Sequence, residues 1–324
     1  MPTLTEPSVS VIIPTRDRPH LLREAISSVR DQTITDLEII VVINGPENPL
    51  TASSLEVANT TGCTAIRIER AGIAVALNAG INAARGEWLA LLDDDDLWAP
   101  NKLEAQLQAA KTKAADVVFC DFCMFDNDGC VPYPRLRPPP SLTVAEAMMM
   151  RNYGGGCSIA LLRRSAVLAV GGFDESIASP DWDLWIRLAW QHRFAWADAH
   201  LVRVRRHGNN SSTRMSWGPL ALRTQYKAFR NLPSNLRHRR LPIIGQMLRT
   251  VAKAGESYLR HNYLQGVRKH FPKKAANAAA TAACPLTLSP TLRKAQAGEN
   301  EPRCSFGTVA VAVRGADDRR VDAS

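Results

Sequence analysis

The sequence lacks any long apolar segment. No run of roughly 18 or more apolar residues occurs, and the N-terminal MPTLTEPSVS has no basic stretch followed by an apolar one. A transmembrane helix needs a long apolar run, and a secretory signal needs both of the N-terminal features. We therefore expect a soluble, cytoplasmic protein that is not exported.

Cysteine is sparse, and its seven residues are an odd number scattered along the chain. A secreted domain held by disulfides would carry an even number at close spacing, so the pattern predicts reduced thiols in a cytosolic compartment. Cys120, Cys123 and Cys130 do lie close together in sequence. With no histidine nearby and the strand-like stretch VVFC, these three do not favour a zinc site.

Acidic residues are scarce in the last third of the chain. Residues 1–213 carry 20 Lys and Arg against 25 Asp and Glu, a net charge of −5, whereas residues 214–324 carry 20 against 6, a net charge of +14. Such a basic region attracts nucleic acid or an anionic membrane surface. It is also typical of solvated, arginine-rich helices.

Strand and helix patterns alternate along the first hundred residues. Helical patterns open at Pro19 and near Val75, and buried strands are predicted at Val9–Thr15, Leu37–Gly45, Thr64–Ile68 and Trp88–Leu92. This order predicts an α/β fold with a mostly parallel, ligand-binding sheet flanked by helices. Ligands bind beyond the carboxyl ends of such strands, where Thr15, Asn44 and the aspartates after Leu92 fall.

Four consecutive aspartates, Asp93–Asp96, follow the fourth strand, and a helix is predicted after Pro100. Four adjacent negative charges repel one another, and Mg²⁺ or Mn²⁺ prefers oxygen ligands. A divalent cation that also holds phosphate oxygens would neutralise the run. The alternative is a solvated acidic turn, which the preceding strand and the following Trp-x-Pro make less favoured.

Several segments occur in the order found in family 2 glycosyltransferases: SVIIPTRDRPHLLREAISSV, EIIVVING, LNAGINAARGEWLALLDDDDLWAPNKLEAQ, and GGFDES followed by DWDLWIRLA. Residues 8–213 thus resemble an inverting glycosyltransferase of the GT-A fold. The resemblance implies transfer of a sugar from a nucleotide diphosphate sugar, a UDP- or dTDP-sugar, to an acceptor hydroxyl. It also implies Mg²⁺ or Mn²⁺ on the diphosphate, a saccharide or lipid-linked acceptor, and a role in cell-surface polysaccharide or glycoconjugate synthesis.

The resemblance assigns the donor site to two segments. Pro14, Thr15, Arg16 and Asp17 match the first nucleotide-binding loop, in which Thr15 and Arg16 would contact the base or ribose. In the run Asp93–Asp96, the first or second carboxylate, Asp93 or Asp94, would accept the ribose hydroxyls and Asp95 would bind the metal. The register among the four stays open by one residue.

Two asparagines take further places in the resemblance. Many relatives carry an acidic pair after the second strand, where this chain has Asn44; its amide can still pair with a pyrimidine edge, although Asn44-Gly45 is also a common turn. Asn78 matches a family asparagine near the diphosphate, and a helix-start cap would explain it equally well.

The base implied by the resemblance is Asp181, in the first turn of a predicted helix. Relatives carry a Glu-Asp pair there, and this chain has Pro180 in place of the glutamate. Proline suits a first helical turn, so its presence need not distort the backbone. Asp181 would take the proton of the acceptor hydroxyl, or it would merely cap the helix. Asp183 is expected to point elsewhere.

Weaker features complete the resemblance. His207 corresponds to a late family histidine that contacts metal or diphosphate, and a solvated histidine is nearly as well supported. Arg205 and Arg206 are placed to pair with phosphates. Gly154–Gly156 resembles a flexible acceptor-side loop. Three nearby tryptophans, Trp182, Trp185 and Trp190, would either stack on sugar faces or belong to the core. A tryptophan at helical spacing is more often a core residue.

The predicted organisation is a catalytic domain at residues 1–213, a basic helical extension at 214–284, and a low-complexity, partly disordered tail at 285–324. The alternative function is a non-catalytic sugar-nucleotide-binding or scaffold protein of the same fold. A nucleic-acid partner rests on the basic region alone and is not expected. A nucleotidylyltransferase is disfavoured because IPTRDRP has no glycine to form a phosphate loop.

Overall fold

The structure is a computed structural model that describes residues 6–177, 179–206 and 217–234, with single positions at 237, 244, 245, 248 and 252. The strands are β1 (Val9–Thr15), β2 (Leu37–Asn44), β3 (Thr64–Ile68), β4 (Trp88–Leu91), β5 (Leu97–Trp98), β6 (Val117–Asp126), β7 (Gly129–Pro132), β8 (Ala160–Arg163) and β9 (Phe194–Arg205). The helices are α1 (Pro19–Arg30), α2 (Pro49–Thr60), α3 (Ile73–Ala83), α4 (Lys102–Lys113), α5 (Val144–Met150), α6 (Arg164–Ala169), α7 (Pro180–Ala189) and α8 (Trp217–Arg230).

The described strands form one sheet in the order β3-β2-β1-β4-β8-β6-β9-β5, with β7 paired to β6. β1 to β4 are mutually parallel, and β6 and β9 are parallel as well. Among the described strands, each antiparallel pair includes β5, β7 or β8: these pairs are β4–β8, β5–β9, β6–β7 and β6–β8. The predicted mostly parallel α/β sheet flanked by helices is therefore confirmed.

The burial of β1 explains why this strand is easily predicted from the sequence. Every residue of β1 is buried, as expected of a strand covered on both faces, which reads as a continuous apolar run. Helix α1 begins at Pro19, whose missing N–H is no loss in a first turn. Its buried residues include the predicted face Leu22, Ala25, Ile26 and Val29.

The parallel register brings the polar strand ends to one edge. Thr15 at the end of β1 pairs with Ile43 of β2, and the N–H of Leu92, just after β4, donates to the carbonyl of Ile12 at 3.1 Å. The aspartates that follow Leu92 therefore lie beside the end of β1. This is the edge at which the sequence predicts a ligand.

The expectation of reduced thiols is wrong for one pair. Cys123 and Cys130 form a disulfide with a Cα–Cα distance of 6.1 Å. They are seven positions apart in the sequence, and the antiparallel hairpin of β6 and β7 brings them onto neighbouring strands. Cys63, Cys120 and Cys157 are free thiols.

Beyond β9, the described part of the predicted extension is helix α8 and the short stretch after it. Apart from the single positions 237, 244, 245, 248 and 252, the rest of the extension lies outside the described residues, as do the predicted tail from residue 285 and His207. Within the described part of the chain, every helix is too short or too polar to cross a membrane.

Candidate active site

Asp94 joins the aspartate run to the loop after β1. The Thr15 hydroxyl donates to its Oδ2 at 2.6 Å, and Arg18 Nη1 lies 3.2 Å from its Oδ1. The backbone N–H of Arg16 donates to the same carboxylate. Burial raises the pKa of Asp94 to about 6, against the lowering effect of these partners. Two of its partners belong to the predicted nucleotide loop, so the two halves of the predicted donor site meet here.

Arg18 is a site residue that the sequence analysis missed. Its Nη1 is 2.7 Å from Oδ2 of Asp95, so one guanidinium contacts two of the four aspartates. Asp17, which precedes Arg18 in the loop after β1, has a left-handed backbone with a φ of 59°, which is uncommon for a residue other than glycine. Its carboxylate accepts a hydrogen bond from Asn48 at 2.8 Å. The available signal was the position of Arg18, a basic residue between the end of β1 and the start of α1, at the edge where the aspartates are predicted.

Asp93 is the aspartate of the run that the implied base, Asp181, influences electrostatically. Burial, reinforced by the charges of Asp96, Asp95, Asp94 and Asp181, holds the pKa of Asp93 well above its usual range. Asp181 follows 88 residues later on a different element, yet it is near enough to act on this carboxylate. The structure thus brings the aspartate run and Asp181 to the same region.

Asp96 is buried, and both of its carboxylate oxygens accept hydrogen bonds from the protein. Its Oδ2 accepts the Ser158 hydroxyl at 2.6 Å, and its Oδ1 accepts the N–H of Arg205 at 3.0 Å. Burial, followed by repulsion from Asp95, raises its pKa to about 7. Ser158 Oγ also accepts the N–H of Asp93 at 3.0 Å. The fourth aspartate therefore shapes the turn rather than facing the ligand edge.

Asp181 lies in the first turn of α7. Ser179 Oγ donates to its Oδ1 at 3.2 Å, and the carboxylate also accepts from the N–H of Trp182 and the side chain of Asn152. Burial is the largest influence and raises the pKa of Asp181 above its ordinary value. The N-cap of α7 is Ser179, so Asp181 is not the cap, although its charge in the first turn favours the helix dipole. The pKa of Asp181 is raised, which is the direction that favours a general base.

Asp183 points away from this region, as expected, and it is not an inert neighbour. It is 4% exposed and accepts from Arg187 Nε at 2.8 Å. Lys227 Nζ of α8 lies 2.6 Å from its Oδ1. Its role is to bind α7 to α8, so replacing it tests stability as well as chemistry.

The two asparagines make protein contacts that the sequence did not predict. Asn44 is buried, donates to the carbonyl of Thr15 at 3.0 Å and accepts the N–H of Gly72 at 3.2 Å. Asn78 lies in the middle of α3, whose N-cap is Gly72, so the helix-start interpretation is wrong. Its side chain bonds both the N–H and the carbonyl of Phe173, at 2.9 Å each.

The glycine segment and the tryptophans are mostly structural. A Cβ on Gly154 would come within 2.7 Å of Phe119 and Trp185, so this glycine allows close packing, whereas a Cβ on Gly156 would meet open space. Trp185 is fully buried and packs edge-on against Phe119. Trp182 is 6% exposed and donates to the carbonyl of Met148 at 2.6 Å. These two rings belong to the core.

The end of β9 closes the edge beside the aspartates. Arg205 Nε donates to the backbone carbonyl of Asp95 at 2.9 Å, and its guanidinium pairs with Glu24 of α1. Arg206 donates its N–H to the carbonyl of Phe125 at 2.7 Å. Among the described residues, no group of three or more His, Cys, Asp or Glu is arranged to hold a metal ion.

Comparison with known proteins places this site in context. Residues 10–169 match the model of the family described as glycosyl transferase family 2. An uncharacterized glycosyltransferase of Rickettsia bellii (strain RML369-C) is 28% identical over 218 residues, which cover 65% of this chain and 31% of the relative. The amylovoran biosynthesis glycosyltransferase AmsE of Erwinia amylovora is 26% identical over 216 residues, covering 65% of this chain and 80% of the relative. The chain thus spans about a third of the length of the Rickettsia relative.

Solved structures show the same fold. Staphylococcus aureus TarS 1-349 in complex with UDP-GlcNAc has a TM-score of 0.61 at 17% identity, covering 75% of this chain and 72% of that one. The mannosyltransferase PcManGT of Pyrobaculum calidifontis, in complex with GDP-Man and Mn²⁺, has a TM-score of 0.57 at 20% identity, covering 86% and 80%. These likenesses concern the fold, and they confirm the GT-A type architecture.

Proposed function

Residues 10–169 place this chain in glycosyl transferase family 2, and on that premise we propose that it transfers a sugar from a nucleotide diphosphate sugar to an acceptor hydroxyl. The observation that carries the proposal is that the loop after β1 meets the aspartate run, through the 2.6 Å bond from Thr15 to Asp94, while Asp181 lies near enough to raise the pKa of Asp93. A donor held at the aspartate run would place its reacting carbon near a carboxylate with a raised pKa. Perturbed carboxylates that converge at a strand edge are typical of catalytic sites.

The proposed reaction inverts the sugar carbon. As the acceptor oxygen attacks the anomeric carbon, its proton passes to the carboxylate of Asp181, and the bond from that carbon to the diphosphate oxygen breaks. The nucleoside diphosphate leaves with the bonding electrons. Base assistance of this kind contributes roughly 10² to 10⁴ in rate. Ser179 and Asn152 hydrogen-bond the carboxylate and fix its direction.

The residues present fit a divalent cation, Mg²⁺ or Mn²⁺. Such a cation needs only one or two protein carboxylates when phosphate oxygens and water complete its shell, and it would neutralise the leaving diphosphate. Asp95 is the proposed ligand, with His207 as a further contact to metal or diphosphate. Burial first, and crowded negative charge second, raise the pKa of Asp93, and a cation would relieve the crowded charge. Arg18 supplies part of that neutralisation at Asp95.

The donor is proposed to lie across the ends of β1, β2 and β4. Pro14, Thr15 and Arg16 would border the nucleotide, and Asn44 would lie nearest the base. The ribose would bind at Asp94 or Asp93 and the diphosphate near Asn78, whose contacts to Phe173 hold the adjoining loop. A UDP- or dTDP-sugar is the proposed donor, supported for uridine by the UDP-GlcNAc complex of the similar TarS fold.

The proposed setting is the cytoplasm, with peripheral contact at the inner face of the membrane. The net charge of +14 after residue 213 would favour anionic lipids, and a saccharide or lipid-linked acceptor would be found there. A role in cell-surface polysaccharide or glycoconjugate synthesis is supported by the name of the similar AmsE, an amylovoran biosynthesis glycosyltransferase.

The test is donor hydrolysis across a panel of UDP-, dTDP- and GDP-sugars, with Mn²⁺, with Mg²⁺ and with a chelator. Asp95→Ala should lose metal-dependent nucleotide binding, because it removes a charged ligand of the cation. Asp128→Ala, an exposed aspartate on the hairpin between β6 and β7, is the control. If no donor is turned over, the enzyme proposal fails in favour of a sugar-nucleotide-binding protein. Equal nucleotide affinity for both variants with and without metal would remove the metal role.

A further inference from the structure

Lys227 of α8 joins two segments that lie next to the proposed base. Its Nζ is 2.6 Å from Oδ2 of Asp174 and 2.6 Å from Oδ1 of Asp183. Asp174 belongs to the loop 171–177, and Asp183 lies two residues after Asp181 on α7. One ammonium group therefore connects the loop to the helix that presents the base.

The ion pair between Lys227 and Asp183 is largely buried. The side chain of Asp183 is 5% exposed and that of Lys227 is 26% exposed, so solvent screens this pair less than an ordinary surface ion pair. The hydrogen bond from Lys227 is the largest cause that holds the pKa of Asp174 below its usual range. Arg187 connects the same two segments a second time: its Nε lies 2.8 Å from Oδ2 of Asp183, and its Nη2 donates to the carbonyl of Gly172 at 2.7 Å.

Helix α8 also holds the segment on the other side of Asp181. Gln225 is buried and donates to the carbonyl of Met150, the last residue of α5, at 3.0 Å. Two residues later, Asn152 hydrogen-bonds the carboxylate of Asp181. Ala228 is buried in the core, so α8 is packed against the domain and not merely laid on its surface.

Helix α3 also contacts the loop 171–177. Asn78 bonds both polar backbone groups of Phe173, and its amide donates to Glu175 at 3.1 Å. Gly172 has a φ of +66°, and a Cβ there would lie 2.7 Å from Asn78 Oδ1. The loop is thus bonded to both α3 and α8.

We propose that Lys227 is a positioning residue for the base, and that α8 completes the catalytic unit. The inference rests on the proposed function, because it takes Asp181 as the base. It moves the boundary of the catalytic unit past residue 213, to include at least α8. Lys227 touches no reacting atom; it fixes the loop 171–177 against α7 so that the Asp181 carboxylate keeps one direction.

The test uses the full chain with Lys227→Met and Lys227→Arg. Arg223→Met is the matched control, since Arg223 lies one turn earlier on α8 and is exposed. Lys227→Met should lower kcat for sugar transfer by roughly 10- to 100-fold, because small displacements of a reacting group are costly. The affinity for the nucleoside diphosphate should stay unchanged. Lys227→Arg should recover much of the loss.

Hydrogen exchange gives a readout that does not depend on turnover. In Lys227→Met, backbone amides of the loop 171–177 should exchange severalfold faster, while those of β1 and β2 keep wild-type rates. Should the wild type transfer no sugar at all, the proposed function fails, and the exchange rates alone decide whether Lys227 fixes the loop. Unchanged exchange in the loop overturns the proposal, as does an equal effect of Arg223→Met.

Asp174→Asn covers the case in which Lys227→Met does not fold. It removes the loop half of the contact and leaves Lys227 paired with Asp183. It should reproduce the faster exchange of the loop and the lower kcat with nucleotide affinity retained. A variant that exchanges and turns over like the wild type contradicts the proposal.

Discussion

Arg18 lies against the carboxylate of Asp95, with Nη1 2.7 Å from Oδ2. This places a fixed positive charge on the aspartate proposed to bind the divalent cation. The guanidinium also reaches Asp94 at 3.2 Å, so it offsets part of the repulsion within the run. A cation that binds Asp95 must displace this contact or share the carboxylate with it.

Removing that charge should therefore strengthen metal binding in the absence of nucleotide. We expect Arg18→Met to bind Mn²⁺ severalfold more tightly than the wild type, as measured by paramagnetic resonance of free Mn²⁺. Arg16→Met is the control, because the Arg16 side chain is 55% exposed and its ion pair is with Asp17 at 3.7 Å. Weaker Mn²⁺ binding by Arg18→Met would show that the arginine supports the cation rather than competing with it.

Asp181→Asn separates chemistry from binding. The amide keeps the shape of the side chain but cannot take the acceptor proton, so kcat should fall by roughly 10² or more while donor affinity changes little. Single-turnover kinetics and nucleotide titration measure the two effects. Asp183→Asn should reduce turnover less, although it should also lower the melting temperature because Arg187 and Lys227 lose their shared partner. A larger loss of turnover at Asp183 would move the base to that residue.

Lys102 should make the stability of the protein depend on pH. It is fully buried, its Nζ lies 3.8 Å from the centre of the Trp98 ring, and that nitrogen has no hydrogen-bond partner among the described residues. Burial lowers its pKa to about 7. Because the unfolded lysine keeps a pKa near about 10.4, the unfolded state binds more protons between those values, so stability rises as pH rises through that window.

Lys102→Met removes the buried charge while keeping a similar length. We expect the free energy of unfolding to increase by about 2 to 4 kcal/mol at pH 6, with the gain shrinking toward zero by about pH 10. Denaturant unfolding at several pH values measures this, with Lys111→Met, exposed on the same helix, as the control. A gain of the same size at every pH would point to packing instead of ionisation.

The basic region should bind anionic vesicles in a salt-dependent manner. Its attraction to lipid is screened within about 8 to 10 Å at physiological salt, so co-sedimentation should weaken steeply as salt rises. Truncation after residue 284 should leave donor hydrolysis intact. Full-length protein that ignores anionic vesicles at low salt would leave the region as a solvated surface or a protein-docking site.

Local sequence patterns located the proposed donor site because the signals of its strands and of the aspartate run span only a few residues each. β1 was predicted with its observed ends, and the aspartate run was placed at the correct strand end, since continuous burial and chain breaks are visible over a few residues. The antiparallel strand β8 is not predicted from the sequence, because a run of four residues is too short for its periodicity to distinguish a strand from a helix. Strand β7 also has only four residues, so the β6–β7 hairpin that brings Cys123 next to Cys130 is not predicted either.

The contacts that organise the base could not be predicted from local patterns. Lys227 lies 53 residues from Asp174 in sequence, and nothing in the periodicity of α8 selects that partner. Asn78 was assigned to the diphosphate by resemblance, yet its polar groups meet Phe173, 95 residues away. Such pairings depend on how helices pack across the sheet, which a pattern of burial does not specify.

The Ser158 hydroxyl donates to Asp96 and accepts the N–H of Asp93, and it lies in the short helical turn Cys157–Ile159 just before β8. Six residues earlier, Asn152 binds Asp181. A donor bound at the aspartate run, as proposed, would therefore contact the same stretch of chain that supports the proposed base. We expect donor and acceptor binding to be linked equilibria, and thermodynamic reciprocity then requires each substrate to change the affinity of the other by the same factor.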